Sequence, residues 1–144
     1  MANINSLRER RILDSRGEWT IEVELTTSGR QRVTASVPQG KSTGSYEAHY
    51  VSPEQAVRNV LKIIAPKLRN KNPLNQRQID ALLLKLDGTR NKRRLGANAM
   101  LGVSIACARA GAFVKAFRFG GIFVPLVLFD RILVCVGTFI RGSS

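Results

Sequence analysis

The stretch that decides the fold is Leu86–Ala106, which reads LDGTRNKRRLGANAMLGVSIA. Its opening Asp87-Gly88 is typical of a turn, because aspartate bonds nearby backbone N–H groups and glycine adopts a positive φ. A helix made mostly of small residues follows: Gly96, Ala97, Ala99, Gly102, Ala106, Ala108 and Ala110. Two interior glycines cost an isolated helix roughly 1 kcal/mol each relative to alanine. We therefore predict a central helix that packs tightly on several sides.

Alternating apolar and polar residues predict a sheet in the first third of the chain. Residues 4–13 form the first predicted strand, and apolar residues then occupy every second position from Ile21 to Leu25. This period of two is typical of a half-buried strand. Residues 27–30 (Thr-Ser-Gly-Arg) predict a turn, and the alternation resumes from Val33 to Val37. The pattern predicts a three-stranded antiparallel meander.

Two amphipathic helices are predicted between this sheet and the central helix. Residues 52–55 (Ser-Pro-Glu-Gln) combine an N-cap serine, a proline at the first helical position and the glutamine of a capping box. Pro66 is expected to end or kink that helix. Residues 75–78 (Asn-Gln-Arg-Gln) repeat the capping pattern before a second apolar stripe. The predicted fold class is α+β, a three-stranded antiparallel meander followed by a helical bundle of about three helices.

A glycine-bounded loop, Gly40-Lys41-Ser42-Thr43-Gly44, follows the third predicted strand. Its GKST resembles a phosphate-binding P-loop, which requires the pattern G-x-x-x-x-G-K-[ST]. The first glycine of that pattern falls on Ala35, and Pro38 removes one of the N–H groups of the cradle. A mobile loop is the better interpretation.

The chain is strongly basic, with 23 Lys and Arg against 10 Asp and Glu and a net charge of +13. Its densest cluster lies at residues 90–94 and contains Arg90, Lys92, Arg93 and Arg94, which we expect to face solvent in the turn. Such a surface suits nucleic acid or an acidic partner. A solvated basic face is the simpler interpretation, because no aromatic residues alternate with the cations.

Cysteine usage and the chain start indicate the compartment. Cys107 and Cys135 have neither metal-ligand spacing nor the number needed for a disulfide framework. The polar, charged first 13 residues do not resemble a secretory signal. We predict a cytoplasmic location, with an organellar location as the alternative.

The sequence predicts two regions, a folded domain at 1–111 and a divergent apolar tail at 112–144. The tail contains apolar runs at 120–129 and 132–140, separated by Asp130-Arg131. Neither run reaches the roughly 20 residues of a transmembrane helix, and a central ion pair would be costly in a bilayer. We therefore predict no membrane span. A natural short product, a fragment and a frame-shifted gene are open alternatives.

Three motifs, in order, resemble the amino-terminal domain of enolase, the phosphopyruvate hydratase of glycolysis. They are DSRG at 14–17, GKSTGSYEA at 40–48, and the LDGT, NK, LGANA and LGVS segments within 86–104. The resemblance covers about residues 4–111. It departs from the family at Glu18-Trp19, where the family has Asn-Pro. An acidic stretch and a glycine-rich stretch of the family are also missing between Ala48 and Ser52.

The resemblance implies roles for a few residues. Ser42 matches the serine that binds the second Mg²⁺ of the active site, and its hydroxyl and carbonyl oxygens suit a hard cation. The alternative is that Ser42 only caps its loop. Lys41 stands where the family has alanine; its charge would repel the metal or meet a substrate phosphate. Arg10 and Arg16 match arginines that make salt bridges across the family's dimer interface.

The resemblance also implies the reaction, in which 2-phosphoglycerate loses water to give phosphoenolpyruvate. In the family, the lysine base and the acidic metal ligands lie on a carboxy-terminal β/α barrel. That barrel is absent from these 144 residues, so we expect no catalytic residue here, and whether this chain is an enzyme stays open. The expected partner is a second copy, as in an enolase-type homodimer, or a barrel-bearing chain, with Mg²⁺ and 2-phosphoglycerate bound only by the complete enzyme.

Two other function classes stay open on the sequence. One is a non-catalytic interaction domain that pairs with an enolase or a barrel chain. The other is a basic nucleic-acid-binding module that uses residues 90–94, which the absence of interleaved aromatic residues makes the weaker alternative.

Overall fold

The computed structural model describes residues 2–37 and 48–118. The predicted loop Gly40–Gly44, with Ser42, lies outside the described residues, and so does the tail beyond residue 118. The described part contains an antiparallel sheet followed by helices. The predicted α+β class, with a three-stranded meander and about three helices, is confirmed.

The sheet has the order β1-β2-β3, and both neighbouring pairs are antiparallel. Its strands are β1 (Ile4–Leu13), β2 (Trp19–Thr27) and β3 (Arg32–Val37). The first helical rod consists of α1 (Pro53–Asn59), a π-helical turn (Val60–Ile64) and α2 (Ala65–Leu68), without a break between them. The other two helices are α3 (Gln76–Asp87) and α4 (Ala97–Arg118).

Asp14 shapes the turn between β1 and β2. One of its carboxylate oxygens accepts hydrogen bonds from the backbone N–H groups of Arg16, at 2.8 Å, and Glu18, at 2.9 Å. Gly17 takes the positive φ of +76° that the turn requires. Trp19, where the sequence departs from the family motif, still begins β2 and pairs with Leu13.

The small-residue helix α4 is the centre of the core, as predicted. Gly102 faces the sheet so closely that a Cβ there would lie 2.8 Å from Val23 Cγ2 and 3.1 Å from Val37 Cγ2. Any side chain at this position would push the helix off β2 and β3. By length and composition alone α4 could cross a membrane, yet most of it is buried, as is typical of the core helix of a globular domain.

The first helical rod confirms the predicted cap at Ser52. Ser52 Oγ accepts a hydrogen bond from the Gln55 N–H at 3.2 Å, as an N-cap serine should. Pro66 was expected to end or kink the helix, and the structure excludes the first outcome, since the rod continues to Leu68. A π-helical turn directly precedes the proline, and this wider turn accommodates the ring and the missing N–H group.

The start of α3 also differs from its prediction. Asn75 is the N-cap residue, but its side chain makes no capping hydrogen bond. Gln76, within the segment that carries the predicted capping pattern, is buried against α4. At the other end of the helical region, α4 continues past residue 111 to Arg118. The separation of a tail from the domain stays a prediction.

Candidate functional site

The loop at 40–44 leaves the sheet from a buried strand end. Val37, the last residue of β3, is 1% exposed and pairs with Ile21 of β2. The hydroxyl of Thr20 donates to the carbonyl of Val37, which adds a side-chain contact to the strand ladder. Val37, the last described residue before the loop, is therefore fixed to the core.

Residues 49–51, which follow the loop in the sequence, are held by the start of α4 and the turn before it. The His49 N–H donates to the Asn91 carbonyl, and the Ala97 N–H donates to the His49 carbonyl, both at 2.8 Å. The Asn98 side chain then bonds both backbone groups of Val51: its Oδ1 accepts from the N–H at 3.3 Å, and its Nδ2 donates to the carbonyl at 2.9 Å. Three of these four hydrogen bonds attach His49 and Val51 to the LGANA motif, and the fourth joins His49 to Asn91 in the turn before it. We call this arrangement the loop anchor.

Gly96 makes this close approach sterically possible. Its φ of +92° lies in the region that L side chains rarely adopt. A Cβ at this position would lie 2.5 Å from Val51 Cγ2 and 2.7 Å from Asn98 Oδ1. Position 96 of LGANA therefore requires glycine for two reasons: its backbone has a positive φ, and a side chain there would clash with Val51 and Asn98.

Asp87 organises the turn that presents the loop anchor. Its Oδ1 accepts from the Leu95 N–H at 2.7 Å, and its Oδ2 accepts from both the N–H and the hydroxyl of Thr89. Thr89 Oγ1 in turn accepts from the Arg93 N–H at 3.0 Å. Gly88 ends α3 in the left-handed conformation, with φ +66°. The LDGT motif is therefore a turn built around one buried carboxylate.

The basic cluster of this turn is only partly a surface feature. Arg90, Arg93 and Arg94 are exposed, as expected. Lys92 is 4% exposed and has φ +59°, so the expectation that it faces solvent is wrong. A charge count along the sequence does not reveal which side chains of a turn become buried when it folds.

The two predicted interface arginines make ion pairs within the chain. Arg10 Nε and Nη2 both donate to Glu22 Oε1, at 2.9 and 2.5 Å, yet the Arg10 side chain stays 70% exposed. Arg16 Nη2 lies 3.7 Å from Asp14 Oδ2. Two backbone N–H bonds to Asp14 and the nearby Arg16 charge lower the pKa of the Asp14 carboxyl. The role of Arg10 and Arg16 at a dimer interface stays a prediction.

A buried polar network joins α3 to α4, and the sequence analysis missed it. Asp80 Oδ1 accepts from Ser104 Oγ at 2.6 Å and from Gln76 Nε2 at 2.9 Å. Gln76 Nε2 also donates to the Ser104 carbonyl at 3.1 Å. Burial raises the pKa of Asp80, while the bonds from Ser104 and Gln76 oppose that rise. The sequence feature that could have predicted this network is the presence of a polar residue, Asp80 or Ser104, within the apolar stripe of each helix.

Glu9 is a second buried carboxyl group that the sequence analysis did not identify. It is 7% exposed on β1, opposite Val23, and its pleat position points it toward the helices. Neither of its carboxylate oxygens has a hydrogen-bond partner among the described residues. Burial raises the pKa of Glu9 from its ordinary 4.5 to about 8.

The described residues do not by themselves form a metal centre. Among residues 2–37 and 48–118, no group of three or more His, Cys, Asp or Glu side chains could hold a metal ion.

Comparison with known proteins decides the family. The sequence model of the family described as "Enolase, N-terminal domain" matches residues 4–119, which is most of the chain. The chain belongs to this family. It is 46% identical over 125 residues to the enolase of Anaplasma phagocytophilum, which covers 78% of the chain and 29% of that relative. It is 46% identical over 124 residues to enolase 1 of Entamoeba histolytica, covering 78% of the chain and 28% of the relative.

A third relative, the enolase of Methanococcus vannielii, is 47% identical over 120 residues, covering 76% of the chain and 28% of the relative. The chain thus spans under a third of the length of the curated enolases that it matches. The resemblance to an enolase N-terminal domain is confirmed, and the family match extends to residue 119. In this enolase domain, LGANA supplies three of the four hydrogen bonds of the loop anchor, and LDGT forms the turn that precedes it.

Proposed function

We propose that this enolase N-terminal domain carries the substrate loop, residues 40–44, for the conversion of 2-phosphoglycerate to phosphoenolpyruvate and water. The observation that supports the proposal most is the loop anchor, in which three hydrogen bonds attach residues 49–51 to the start of α4 and a fourth joins His49 to Asn91. Val37 fixes the other end in the sheet. A loop with both ends held on a rigid frame returns its side chains to the same place in each catalytic cycle.

Within that loop, Ser42 is the proposed metal ligand. Its hydroxyl and its own carbonyl are hard oxygen donors, which Mg²⁺ prefers. The bound ion would supply positive charge next to the substrate's anionic groups. Lys41 precedes this ligand, and we propose that its ammonium group binds the substrate phosphate, since a cation placed toward the metal would repel it.

The remaining catalytic groups belong to a partner or to further sequence. The proposal places the proton-abstracting base and the carboxylate metal ligands on an enolase barrel, since the described residues contain no such cluster. By the family resemblance, the complete enzyme is a cytoplasmic homodimer in which Arg10 and Arg16 contact the second subunit. The exposed guanidinium of Arg10 is compatible with such a contact.

A reconstitution experiment tests this proposal. The barrel region of the Methanococcus vannielii enolase is expressed as a separate chain and mixed with this domain, Mg²⁺ and 2-phosphoglycerate. We expect formation of phosphoenolpyruvate, measured by its absorbance. Ser42→Ala should lower the rate and raise the Mg²⁺ concentration needed for half-maximal turnover, whereas the control Ser36→Ala, on the exposed face of β3, should change neither.

The outcomes separate the candidate functions. Equal Mg²⁺ dependence of the wild-type domain and Ser42→Ala would overturn the assigned role of Ser42. Binding to the barrel without any turnover would instead favour a non-catalytic interaction domain. Steeply salt-dependent binding of DNA or RNA, abolished by neutralising the exposed arginines at 90, 93 and 94, would favour the nucleic-acid-binding alternative.

A further inference from the structure

The helical part of the domain, residues 55–117, carries almost all of the excess positive charge of the chain. It contains 13 Lys and Arg against two Asp, whereas residues 2–37, which form the sheet, contain six Arg against five Asp and Glu. The two acidic residues of the helical part, Asp80 and Asp87, are only 3% and 1% exposed. The surface of residues 55–117, all of which the structure describes, therefore displays cations and no carboxylates.

The cations of the helical part have no carboxylate partner among the described residues. In the sheet, by contrast, Arg32 Nε lies 3.7 Å from Glu24 Oε1. Throughout the two described ranges, no ion pair includes a Lys or Arg of the helical part. Glu54, the acidic residue just before that part, pairs with Arg11 of β1. The described carboxylates therefore leave the positive charge of the helical surface without a counter-charge.

Six of these cations lie around the turn that precedes α4. Lys85 is in the last turn of α3, and the exposed arginines at 90, 93 and 94 follow it in the chain. Asn59 Nδ2 donates to the carbonyl of Leu95 at 2.9 Å, which holds this turn against the first helical rod. Two exposed cations of the rod stand on either side of Asn59 in the sequence. We call the following six side chains the cationic patch: Arg58, Lys62, Lys85, Arg90, Arg93 and Arg94.

The composition of the cationic patch favours phosphate groups as its partner. Four of its six side chains are arginines, whose planar guanidinium groups bind phosphate oxygens through two N–H groups at once. Between residues 55 and 95, Leu61 is the single exposed large apolar residue. A membrane-binding surface needs several apolar side chains beside its cations, and a protein interface needs an apolar centre. One leucine provides neither.

The absence of aromatic residues indicates which kind of nucleic acid the patch suits. Residues 51–112 contain no Phe, Trp or Tyr, so the bases of a single strand would find no aromatic ring to stack on. A double strand keeps its bases stacked inside and presents one phosphate charge per about 1.7 Å of its axis. Contacts to these phosphates require only cations and carry no sequence information.

We propose that the cationic patch binds the phosphate backbone of double-stranded nucleic acid without sequence preference. This binding is a second activity, separate from the substrate loop, because no side chain of the patch takes part in the loop anchor. Turnover with an added barrel tests the loop, whereas duplex binding is measured without a barrel. The failure of either proposal therefore leaves the other standing.

Fluorescence anisotropy of a labelled short DNA duplex, titrated with the full 144-residue chain, tests the proposal. Four to six phosphate contacts give a slope of about −4 to −5 in a plot of log K against log salt concentration. We expect a duplex of different sequence, and a duplex RNA, to bind within about threefold of the first. An oligothymidine strand of the same length should bind at least about tenfold more weakly.

A triple variant, Arg90→Gln, Arg93→Gln and Arg94→Gln, removes half of the patch. Its salt slope should become shallower by about 2 to 3, because each lost phosphate contact contributes about 0.9. At low salt its affinity for the duplex should fall by at least about tenfold. Since the three side chains are exposed, the variant should keep the circular dichroism spectrum of the wild type.

The matched control, Arg8→Gln, Arg30→Gln and Arg32→Gln, removes the same charge from exposed positions of the sheet and its turn. It should keep the salt slope of the wild type. Equal losses in the two triple variants would overturn the proposal, since binding would then follow net charge alone. No binding at low salt, or equal binding of the single strand, would also overturn it. Equally strong, patch-dependent binding to vesicles of anionic lipid would assign the patch to a membrane surface and contradict the proposal.

Discussion

Glu9→Gln should make this domain more stable at neutral and higher pH. The wild-type carboxyl is 7% exposed, its oxygens have no hydrogen-bond partner among the described residues, and burial raises its pKa from 4.5 to about 8. The folded state therefore holds a proton between pH 4.5 and about 8, where the unfolded state has released it. Because the folded state binds more protons in this window, the free energy of unfolding falls as pH rises and levels off above about pH 8.

The size of the effect follows from the same two pKa values. At 1.36 kcal/mol per pH unit, the difference of about 3.5 corresponds to about 5 kcal/mol above pH 8, and to about 3 kcal/mol at pH 7. Glutamine is neutral throughout and leaves a similar unpaired polar group, so its stability lacks this decline. At pH 5 the variant and the wild type should be nearly equal in stability. At pH 8 the variant should be more stable by at most about 5 kcal/mol.

Urea denaturation followed by helical circular dichroism, at pH 5, 6, 7 and 8, measures this difference. The matched control is Glu18→Gln, whose side chain is 61% exposed, and it should keep the pH slope of the wild type. Other titrating groups, including Asp80, contribute equally to both proteins and cancel in the difference. Parallel pH profiles of the wild type and Glu9→Gln would refute the reasoning, since they would mean that Glu9 titrates alike in both states.

Three further substitutions test the loop anchor and the buried network. Gly96→Ala should destabilise the fold by about 1–3 kcal/mol in urea denaturation, because its Cβ would lie 2.5 Å from Val51 Cγ2 at a φ of +92°; an unchanged midpoint would contradict this geometry. Asn98→Ala removes both side-chain bonds to Val51 and should speed hydrogen exchange of residues 48–52 but not of β2; equal rates would remove the anchor role. Ser104→Ala removes a bond that lowers the pKa of Asp80, so the loss of about 1–3 kcal/mol should be greater at pH 7 than at pH 4. A loss of equal size at both pH values would contradict the role of Ser104.

The sequence predicted the elements whose cause is local. Alternation from Ile21 to Leu25 depends only on a period of two, and the strand was found where that pattern lies. The Ser52 cap follows from side-chain chemistry over three residues. The motif around Asp87 was identified as a turn followed by a close-packed helix, because aspartate, glycine and small residues have strong local preferences.

The features that were missed depend on residues far apart in the chain. The burial of Glu9 depends on which helices cover β1, and no local pattern of charges within residues 8–11 reveals it. The bond between Asp80 and Ser104 joins positions 24 residues apart. The loop anchor likewise joins Val51 to Asn98 over 47 residues. Each of these needs the packed tertiary structure before its chemistry becomes visible.

The central claim is that this domain positions a loop for a reaction whose chemical groups lie on a barrel. Turnover of 2-phosphoglycerate in the presence of Mg²⁺ tests it most directly, measured first with the purified 144-residue chain and then after addition of a separate enolase barrel. We expect no phosphoenolpyruvate from the chain alone and its formation once the barrel is added. Phosphoenolpyruvate formed by the chain alone would contradict the proposed division of roles between domain and barrel.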